Sequence, residues 1–419
     1  MNLLVTTCKI SGNDVYFPKG VTMKISPLLP IDINGVFDHE LLILSEQVCI
    51  ESAQIAGGLN IHNIEAIQEL LRVTNSYYSN RIEAQSTHPI DIEKAMRQDF
   101  SSNSSQKSLQ KLSLAHIQTQ RHIEKLSIQN EVYDRNFVRE IHHYFYTQEG
   151  MESFLTITHE DHTLQMVPGK FRANDVQVGN HIAPPNEEIE MIFGYFEKMY
   201  RQYAHNTTKA MQLLCALSAH HRLTWIHPFL DGNGRVSRLY FDALLKSMNL
   251  HGYGLWNISR GLARDVSGYQ KYLSHADMIR QGATDGNGDL SLRGLKYYLH
   301  FMLESALDQI RFMDESLKLS TLSARIERFV EFSQKGMYNI EPLPQNSEML
   351  FNKLLLVGEL ARGEVEKTIG KSQRTASSLI KKLLEMDYLT TDSPRGDIRL
   401  KFNAFFASKL MPDLIPDKG

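Results

Sequence analysis

Twelve consecutive residues combine groups that can accept a proton, hold a cation and bind phosphate. They read His227-Pro228-Phe229-Leu230-Asp231-Gly232-Asn233-Gly234-Arg235-Val236-Ser237-Arg238. The imidazole of His227 ordinarily titrates at about pH 6.5, which suits proton abstraction near neutral pH. The Asp231 carboxylate is a hard oxygen ligand of the kind that Mg²⁺ takes together with substrate phosphates. The run therefore predicts a general base beside a metal and phosphate site.

The glycines and arginines of this run indicate an anion at a helix N-terminus. Gly232 and Gly234 allow the backbone to approach a bulky phosphate, and Asn233 between them tolerates left-handed geometry. The following residues are apolar at helical spacing, so a helix begins here and its first N–H groups favour an anion. Arg235 and Arg238 lie in its first turn, where a cation opposes the helix dipole unless an anion is bound.

A glycine-rich loop alone also fits a plainer structure, namely a turn with a capping aspartate and two solvated arginines. The segment Asp285-Gly286-Asn287-Gly288-Asp289 shows how weak such a loop is by itself. A calcium loop would need Gly at the place of Leu290 and Glu at the place of Lys296. We therefore expect an ordinary loop there, with Asp289 or Ser291 capping the next helix.

The twelve-residue run resembles the signature of the Fic family, HPFx(D/E)GNGRxxR, and matches it at every specified position. Residues 220–226 are similar to the helix that precedes this loop in the family. Residues 169–179, followed by Pro184-Pro185, are similar to the family's β-hairpin flap, which aligns the target side chain. The resemblance extends over residues from about 40 to 305.

The resemblance implies adenylylation of a protein, with ATP as substrate and Mg²⁺ as cofactor. A hydroxyl of a target protein, or of this protein itself, would attack the α-phosphate, and pyrophosphate would leave. His227 would take the hydroxyl proton, and Asp231 would hold the metal. The amides from Gly232 through Asn233 and Gly234 to Arg235 would bind phosphate oxygens, while the Arg235 and Arg238 side chains would contact the outer phosphates.

Other candidates around this loop are less specific. In the family an aromatic residue downstream packs near the adenine, and Tyr269 is our candidate, with a core tyrosine as the alternative. The pairs His142-His143 and His220-His221 offer no tetrahedral ligand set with Cys215. We therefore expect them to be core or surface imidazoles.

A second motif predicts that the active site is inhibited. Ser79-Asn80-Arg81-Ile82-Glu83 resembles the family's inhibitory motif, (S/T)xxxE(G/N), whose Glu pairs with the last Arg of the signature, here Arg238. The carboxylate and the γ-phosphate of ATP would compete for one guanidinium. Ala84 stands where Gly or Asn is usual, and Ala favours a helix that continues past Glu83. The alternative for Glu83 is a solvated side chain on an exposed helix face.

Two other functions remain open at this point. A transcriptional regulator could use a Fic-like domain to sense nucleotide without turnover, but a sensor would not need His227. Removal of AMP is the second, because Glu83 could orient a water molecule, as the same glutamate is thought to do in related proteins.

Composition and charge predict a cytoplasmic protein. The chain has 419 residues and a formal net charge of −3, which gives no overall positive field for nucleic acid. Cys8, Cys49 and Cys215 are too few for a disulfide framework, which fits a reducing compartment. The first residues do not read as a signal peptide, and no apolar run is long enough to span a bilayer. The family also suggests a homodimer.

The pattern of apolar residues predicts a mainly α fold: a Fic-type helical bundle with one β-hairpin flap and a C-terminal winged helix-turn-helix domain. Ser101 to Gln106 is expected to be a linker or surface loop, with helices resuming near Leu109. The expected regions, in chain order, are an N-terminal arm (1–35), a helical region with the inhibitory motif (36–108), the catalytic core (109–310), a connector (311–345) and the winged-helix-like domain (346–410).

The C-terminal domain has two candidate partners. Two predicted helices meet at Gly370-Lys371-Ser372, and an alternating strand pair surrounds Pro394-Arg395-Gly396, which is typical of a winged helix. The basic residues on or near the recognition helix and wing predict DNA binding: Arg374, Lys381, Lys382 and Arg395. Nearby acidic residues offset this charge and equally favour a protein-interaction module: Glu364, Glu366 and Glu385.

Overall fold

The structure is a computed structural model of the 419-residue chain and describes residues 8–9, 37–128, 131–159, 162–204 and 207–416. Most of this part is helical, as the sequence predicts. The helices are α1 (His39–Ala56), α2 (Ile61–Ile82), α3 (Pro89–Met96), α4 (Ser104–Leu126), α5 (Arg135–Tyr146), α6 (Ile189–Ala204), α7 (Lys209–Ile226), α8 (Asn233–Ser247), α9 (Ile258–Arg264), α10 (Val266–Asp277), α11 (Leu292–Leu317), α12 (Leu319–Gln334), α13 (Ser347–Val357), α14 (Val365–Ile369), α15 (Gln373–Glu385) and α16 (Ala404–Leu410).

The strands form three small antiparallel sheets. They are β1 (Cys8–Lys9), β2 (Thr156–His159), β3 (His162–Gln165), β4 (Gln177–Val178), β5 (His181–Ile182), β6 (Glu359–Leu360), β7 (Leu389–Thr390) and β8 (Ile398–Leu400). The spatial orders are β1-β4-β5, β2-β3 and β6-β8-β7. The predicted N-terminal arm lies outside the described residues except for β1, in which Cys8 pairs with Val178.

The central region holds two hairpins in its described part, β2–β3 and β4–β5, so the expectation of a single hairpin is wrong. In β2–β3, Thr156 lies opposite Gln165, and Thr158 lies opposite Thr163. The β-branched residues Thr156, Thr158 and Thr163 favour this pairing. Each strand has only four residues, so the sequence pattern that predicts it is weak.

Side-chain caps explain where the first helices begin. Asn103 accepts a hydrogen bond from the Gln106 N–H at 3.0 Å, so α4 begins at Ser104, within the segment expected to be a loop and ahead of the expected resumption near Leu109. His88 caps α3, whose first residue is Pro89, a residue suited to the first helical position. Helix α4 therefore runs across the boundary placed at residue 108.

Helix α7 lies at the centre of the fold and is buried on almost every side. It packs against α1, α6, α8 and α11. Its small and apolar residues leave no wide polar face, which is the pattern of a helix enclosed by others. Because α7 is enclosed, its C-terminus has a fixed position and direction. The loop between α7 and α8 therefore begins at a fixed point.

The C-terminal elements follow the predicted order. Gly370 takes a left-handed conformation (φ 61°) between α14 and α15, and Ser372 caps α15. Strands β7 and β8 run antiparallel on either side of residues 394–396, and β6 adds a third strand. The predicted connector is helical, since α11 ends at Leu317 and α12 follows.

These elements share one continuous apolar core with the rest of the described chain. The Asn63 side-chain amide in α2, for example, donates to the Leu355 carbonyl in α13 at 2.7 Å. Within the described part of the chain, no helix combines the length and the apolar character that a bilayer crossing requires.

Helix α2 ends at Ile82, which corrects the expectation that Ala84 would prolong it. The Ala84 N–H donates to the Arg81 carbonyl at 3.0 Å, and the Gln85 N–H donates to the Asn80 carbonyl at 2.9 Å. This pair of bonds is the Schellman motif, which places a left-handed residue directly after the C-cap. Ala84 is that residue, with φ 55°. A side chain in this region is strained by about 1–2 kcal/mol.

We predict that Ala84→Gly raises the free energy of unfolding by about 1 kcal/mol, because glycine takes this conformation without strain. Urea denaturation followed by circular dichroism measures the change. Ala66→Gly, the same chemical change inside α2, is the matched control and should lower stability by about 1 kcal/mol. A decrease for both substitutions would contradict strain at Ala84.

Candidate active site

The predicted catalytic loop joins α7 to α8 and is held closed by its own side chains. After α7, His227 adopts a left-handed conformation (φ 49°, ψ 59°), and its N–H donates to the Leu223 carbonyl at 3.1 Å. The Asn233 side chain accepts from the Phe229 N–H at 2.9 Å and donates to the Phe229 carbonyl at 2.8 Å. Because both ends of the loop are fixed, His227 and the start of α8 keep a defined relative position.

The two glycines are required by close neighbours. Gly232 has φ 80°, and a Cβ there would overlap the hydroxyl of Tyr146. A Cβ on Gly234 would overlap a carboxylate oxygen of Glu83. The group that lies against the backbone at the start of α8 is therefore the carboxylate of Glu83, the C-cap of α2, and the phosphate site expected there stays a prediction.

Glu83 and Arg238 form an ion pair, and Ser79 completes the contact. The Arg238 Nη2 to Glu83 Oε1 distance is 2.7 Å. The Arg238 Nε donates to the Ser79 hydroxyl at 2.9 Å, and Nη2 also donates to the Ser79 carbonyl at 3.0 Å. The Arg238 side chain is 2 % exposed and that of Glu83 is 26 % exposed. The alternative of a solvated Glu83 is therefore wrong.

The Glu83 carboxylate is held in its charged form. Burial alone would raise its pKa, but the charges of Arg238 and Arg235 and the hydrogen bond from Arg238 outweigh burial and hold the pKa below its ordinary value. A charged carboxylate at the start of α8 also interacts favourably with the helix dipole. Glu83 thus supplies the negative charge that Arg235, in the first turn of α8, and Arg238, in the second turn, require.

Arg235 is buried and also faces the end of α2. Its Nε donates to the Asn80 side-chain oxygen at 3.0 Å, and its Nη1 lies 3.4 Å from the Tyr146 hydroxyl. Its Nη2 donates to the side-chain oxygen of Gln85. Since neither Arg235 nor Arg238 is solvated, the plainer alternative of a turn with exposed arginines is wrong.

His227 has the protonation state of a base. Burial lowers its pKa to about 3, and the electrostatic effects of the neighbouring His181 and Arg172 act in the same direction. Its ring is therefore neutral at pH 7. Arg172 also fixes the turn through two hydrogen bonds. Its side-chain Nε donates to the His227 carbonyl at 2.8 Å, and its backbone N–H donates to the Pro228 carbonyl at 2.8 Å.

Asp231 lies at the exposed rim of the loop, where its carboxylate accepts from the Gly232 N–H at 2.6 Å. The described residues contain no group of three or more His, Cys, Asp and Glu side chains that could hold a metal ion by themselves. A single exposed carboxylate fits Mg²⁺ only when phosphate oxygens complete the coordination, which is the usual way in which nucleotide-bound Mg²⁺ reaches a protein.

The structure places Tyr269 in the core. It is 3 % exposed, its hydroxyl lies 3.5 Å from His220 Nε2, and it also neighbours Arg238. These are the contacts of a core tyrosine. His142 accepts from the Gly169 N–H at 2.8 Å and stacks on Phe229, with the ring centroids 3.9 Å apart, so it supports the loop as a core imidazole.

Sequence reasoning did not identify several residues that hold this site. Asn80 and Gln85 flank Glu83 in the chain and could have been found by asking which neighbours face Arg235. Arg172 lies in the segment that resembles the flap, but its bonds to the loop backbone carry no sequence signal. The contact between Tyr146 and Gly232 joins residues that are far apart in the chain, so only the tertiary structure shows it.

Comparison with known proteins agrees with this geometry over part of the chain. Residues 133–245 match the Fic/DOC family. A stretch of 77 residues, 18% of this chain, is 43% identical to the protein adenylyltransferase Fic of Drosophila melanogaster and spans 15% of that protein. The corresponding protein of Drosophila ananassae is 38% identical over the same length. The match therefore spans less than a fifth of these relatives.

Solved structures of Fic proteins show a more distant likeness. A Fic family protein from Desulfovibrio desulfuricans is 14% identical, with a TM-score of 0.48, over 87% of this chain and 97% of that one. A Fic domain containing signaling protein from Bacteroides thetaiotaomicron is 16% identical, with a TM-score of 0.49, over 65% of this chain and 96% of that one. The stretch that matches the Fic/DOC family model, residues 133–245, includes the loop of residues 227–238.

Proposed function

We propose that this chain is a protein adenylyltransferase that moves AMP from ATP to a hydroxyl of a target protein or of itself. The proposal also holds that the ion pair between Glu83 and Arg238 inhibits the enzyme. The observation that carries it is the charged Glu83 carboxylate at the first turn of α8, against two buried arginines and the backbone of Gly234. The partial match to proteins named protein adenylyltransferase Fic supports the same reaction.

In the proposed reaction, phosphate oxygens of ATP accept hydrogen bonds from the backbone N–H groups between Gly232 and Arg235. Asp231 would hold Mg²⁺, which when bound offsets the charge that develops on the phosphates. The target hydroxyl oxygen forms a bond to the α-phosphorus while the bond from that phosphorus to the bridging oxygen breaks. His227 takes the hydroxyl proton, and the leaving oxygen departs with pyrophosphate.

The inhibition follows from the contacts of Arg238. Its guanidinium is buried and bonded to Glu83 and Ser79, so removing the Glu83 carboxylate without a replacement would leave a buried charge unpaired. A γ-phosphate can supply the missing negative charge, but it cannot share the same guanidinium edge with the carboxylate. ATP would therefore bind productively only when Glu83 leaves Arg238.

We predict that Glu83→Gly raises adenylylation by about ten- to a hundredfold, since one charged hydrogen bond is worth about 1.5–3 kcal/mol. Transfer of label from α-labelled ATP to the protein itself and to lysate proteins measures this, and mass spectrometry of the labelled proteins finds the target. Adding His227→Ala should lower the rate by about two to four decades. Glu65→Gly, on an exposed part of α2, is the matched control and should behave as wild type.

The same variants separate the alternatives. Loss of label from a pre-modified protein only when Glu83 is present would favour removal of AMP over transfer. Binding of ATP with no labelled product in the wild type and in Glu83→Gly would favour a nucleotide-sensing regulator. An unchanged rate in Glu83→Gly would contradict the inhibitory role of the ion pair. A homodimer and a cytoplasmic location remain predictions.

We also propose that the C-terminal region is a winged-helix-like domain and that its partner is DNA. Arg374 and Lys381 are exposed on α15, and Arg395 is exposed between β7 and β8. Acidic side chains lie among them: Lys381 Nζ is 3.9 Å from Glu385 Oε1. This mixture of charges supports a protein partner equally well, so the two classes need a direct test.

We predict that the full-length protein retards a mixed-sequence duplex DNA at low salt and that retardation falls steeply as salt rises. Arg374→Ala with Lys381→Ala should weaken binding and reduce the salt slope by about 2, one for each lost phosphate contact. Lys125→Ala with Lys198→Ala, which removes the same charge elsewhere, is the control. No retardation at any salt concentration would exclude DNA binding, and a protein partner would then be the remaining alternative.

A further inference from the structure

His181 connects the hairpin β4–β5 to the catalytic turn. It is the first residue of β5, opposite Val178 in β4. Its ring nitrogen Nε2 lies 2.9 Å from the carbonyl oxygen of Trp225, two residues before His227. Its Nδ1 lies 3.2 Å from a carboxylate oxygen of Asp277, the last residue of α10. The ring centroids of His181 and His227 are 6.3 Å apart.

Both ring nitrogens of His181 face acceptors. These two contacts tie the ring to the end of α7 on one side and to the end of α10 on the other. Asp277 also faces His221, whose Nε2 lies 3.1 Å from the other carboxylate oxygen. Burial opposes the charge of Asp277, but its hydrogen bonds to His181 and His221 outweigh burial and hold its pKa well below the ordinary value.

Two further side chains, His221 and Arg172, lie around the contact between His181 and Asp277. From α7, His221 accepts from Arg222 Nη1 at its other ring nitrogen, so its Nε2 is left to donate to Asp277. The guanidinium of Arg172, before β4, bonds to the His227 carbonyl and to the Pro184 carbonyl just after β5. Arg172 therefore anchors the base of the hairpin, and His181 anchors its second strand.

We propose that His181 is a positioning residue for adenylyl transfer. It fastens the hairpin β4–β5 to the turn that carries His227, through the Trp225 carbonyl and Asp277. The inference rests on the proposed function and on the resemblance of residues 169–179 to the Fic flap, which aligns the target side chain in that family. Strands of two residues each cannot hold a position by their own ladder, so the hairpin depends on such anchors.

We predict that His181→Phe, which keeps a ring but loses both bonds, increases amide hydrogen exchange in residues 176–183. In the Glu83→Gly background it should lower kcat for self-adenylylation about tenfold, by misplacing the hydroxyl, with the KM for ATP unchanged.

His300→Phe, an exposed substitution on α11, is the control and should change neither readout. Unchanged hydrogen exchange in His181→Phe would overturn the positioning role, whatever the activity. A raised KM for ATP with unchanged kcat would also overturn it, because the residue would then act on nucleotide binding. An inactive Glu83→Gly protein would count against the proposed function, while the exchange result would still decide whether His181 fastens the hairpin.

An independent set of contacts connects the end of α2 to the C-terminal segment. The Tyr78 hydroxyl donates to the Leu414 carbonyl at 3.0 Å, and His88 Nε2 lies 2.9 Å from the Pro416 carbonyl. Arg260, at α9, donates from Nε and Nη2 to the Asp413 carbonyl at 3.1 and 3.0 Å. Glu83 lies between Tyr78 and His88 in the chain, so its segment is held on both sides.

These contacts are buried and specific to this segment. Tyr78 is 4 % exposed, Leu414 is 1 % exposed and Arg260 is 3 % exposed. The Arg260 guanidinium also lies over the ring of Phe312, 3.7 Å from its centroid. Burial raises the pKa of Tyr78, so its hydroxyl keeps the proton that it donates. Loss of such a donor leaves a buried carbonyl unsatisfied, which costs about 1–3 kcal/mol.

We infer that residues 413–416 hold the end of α2 in the position that places Glu83 on Arg238. The C-terminal region would then contribute to the inhibition, again on the basis of the proposed function. Displacing this segment frees the residues on either side of Glu83, which lowers the energy needed to move the carboxylate away from the guanidinium.

We predict that Tyr78→Phe, which removes one hydroxyl, raises self-adenylylation about two- to tenfold, less than Glu83→Gly does, because one buried hydrogen bond is lost. In the Glu83→Gly background the same change should have no further effect. Hydrogen exchange at residues 80–84 should rise in Tyr78→Phe. Tyr195→Phe, the same change at an exposed tyrosine of α6, is the matched control.

Three results would overturn the inference. In the first, exchange at residues 80–84 is the same in Tyr78→Phe and in wild type. In the second, the two tyrosine variants activate equally. In the third, Tyr78→Phe raises the rate in the Glu83→Gly background as much as it does alone. Failure of Glu83→Gly to activate would instead count against the proposed function, and the exchange measurement would remain decisive for the contact.

Discussion

A buried guanidinium at the start of a helix needs a negative partner, and this requirement determines how α2 and α8 are arranged. Arg238 lies in the second turn of α8, still close to the helix end where the dipole disfavours a cation, and its side chain is 2 % exposed. Arg235 adds a second buried positive charge beside it. Glu83 is the carboxylate that offsets both charges. The end of α2 must therefore lie against the start of α8, with only a glycine at position 234 between the two backbones.

The rest of the site depends on the same placement. Because α7 is enclosed and the loop is closed by Asn233, His227 and the first turn of α8 have a fixed relation to each other. The position of Glu83 is therefore the variable one. Glu83 follows the last residue of α2 and precedes the strained, left-handed Ala84. Its side chain is 26 % exposed, so the carboxylate is less confined than the guanidinium of Arg238. A phosphate that competes for Arg238 would therefore contact a guanidinium with a fixed position and displace the Glu83 carboxylate.

The loop could be predicted from the sequence because its chemistry lies within one short segment. Side chains at neighbouring positions share a turn whatever the rest of the fold does, so Asp231, Gly232 and Gly234 were identifiable. The pairing of Glu83 with Arg238 was predictable only through a second recognised motif. His181, Asp277 and Arg172 come from separate elements, and no local pattern shows that they meet. The end of α2 was predicted wrongly because the propensity of Ala for helix was outweighed by the Schellman bonds after Glu83.

The end of α2 contacts Arg238 through both Ser79 and Glu83. The Ser79 hydroxyl and carbonyl accept from the guanidinium on the side of Nε and Nη2, and these bonds do not involve Glu83. When the carboxylate leaves, Ser79 still holds the guanidinium in the same orientation, and the Nη2 hydrogen that Glu83 accepted is free for an incoming phosphate oxygen. A preorganised donor of this kind does not have to reorder when it meets the developing charge. Removing all of α2 would abolish this support together with the inhibition, whereas removing the Glu83 carboxylate alone separates the two roles.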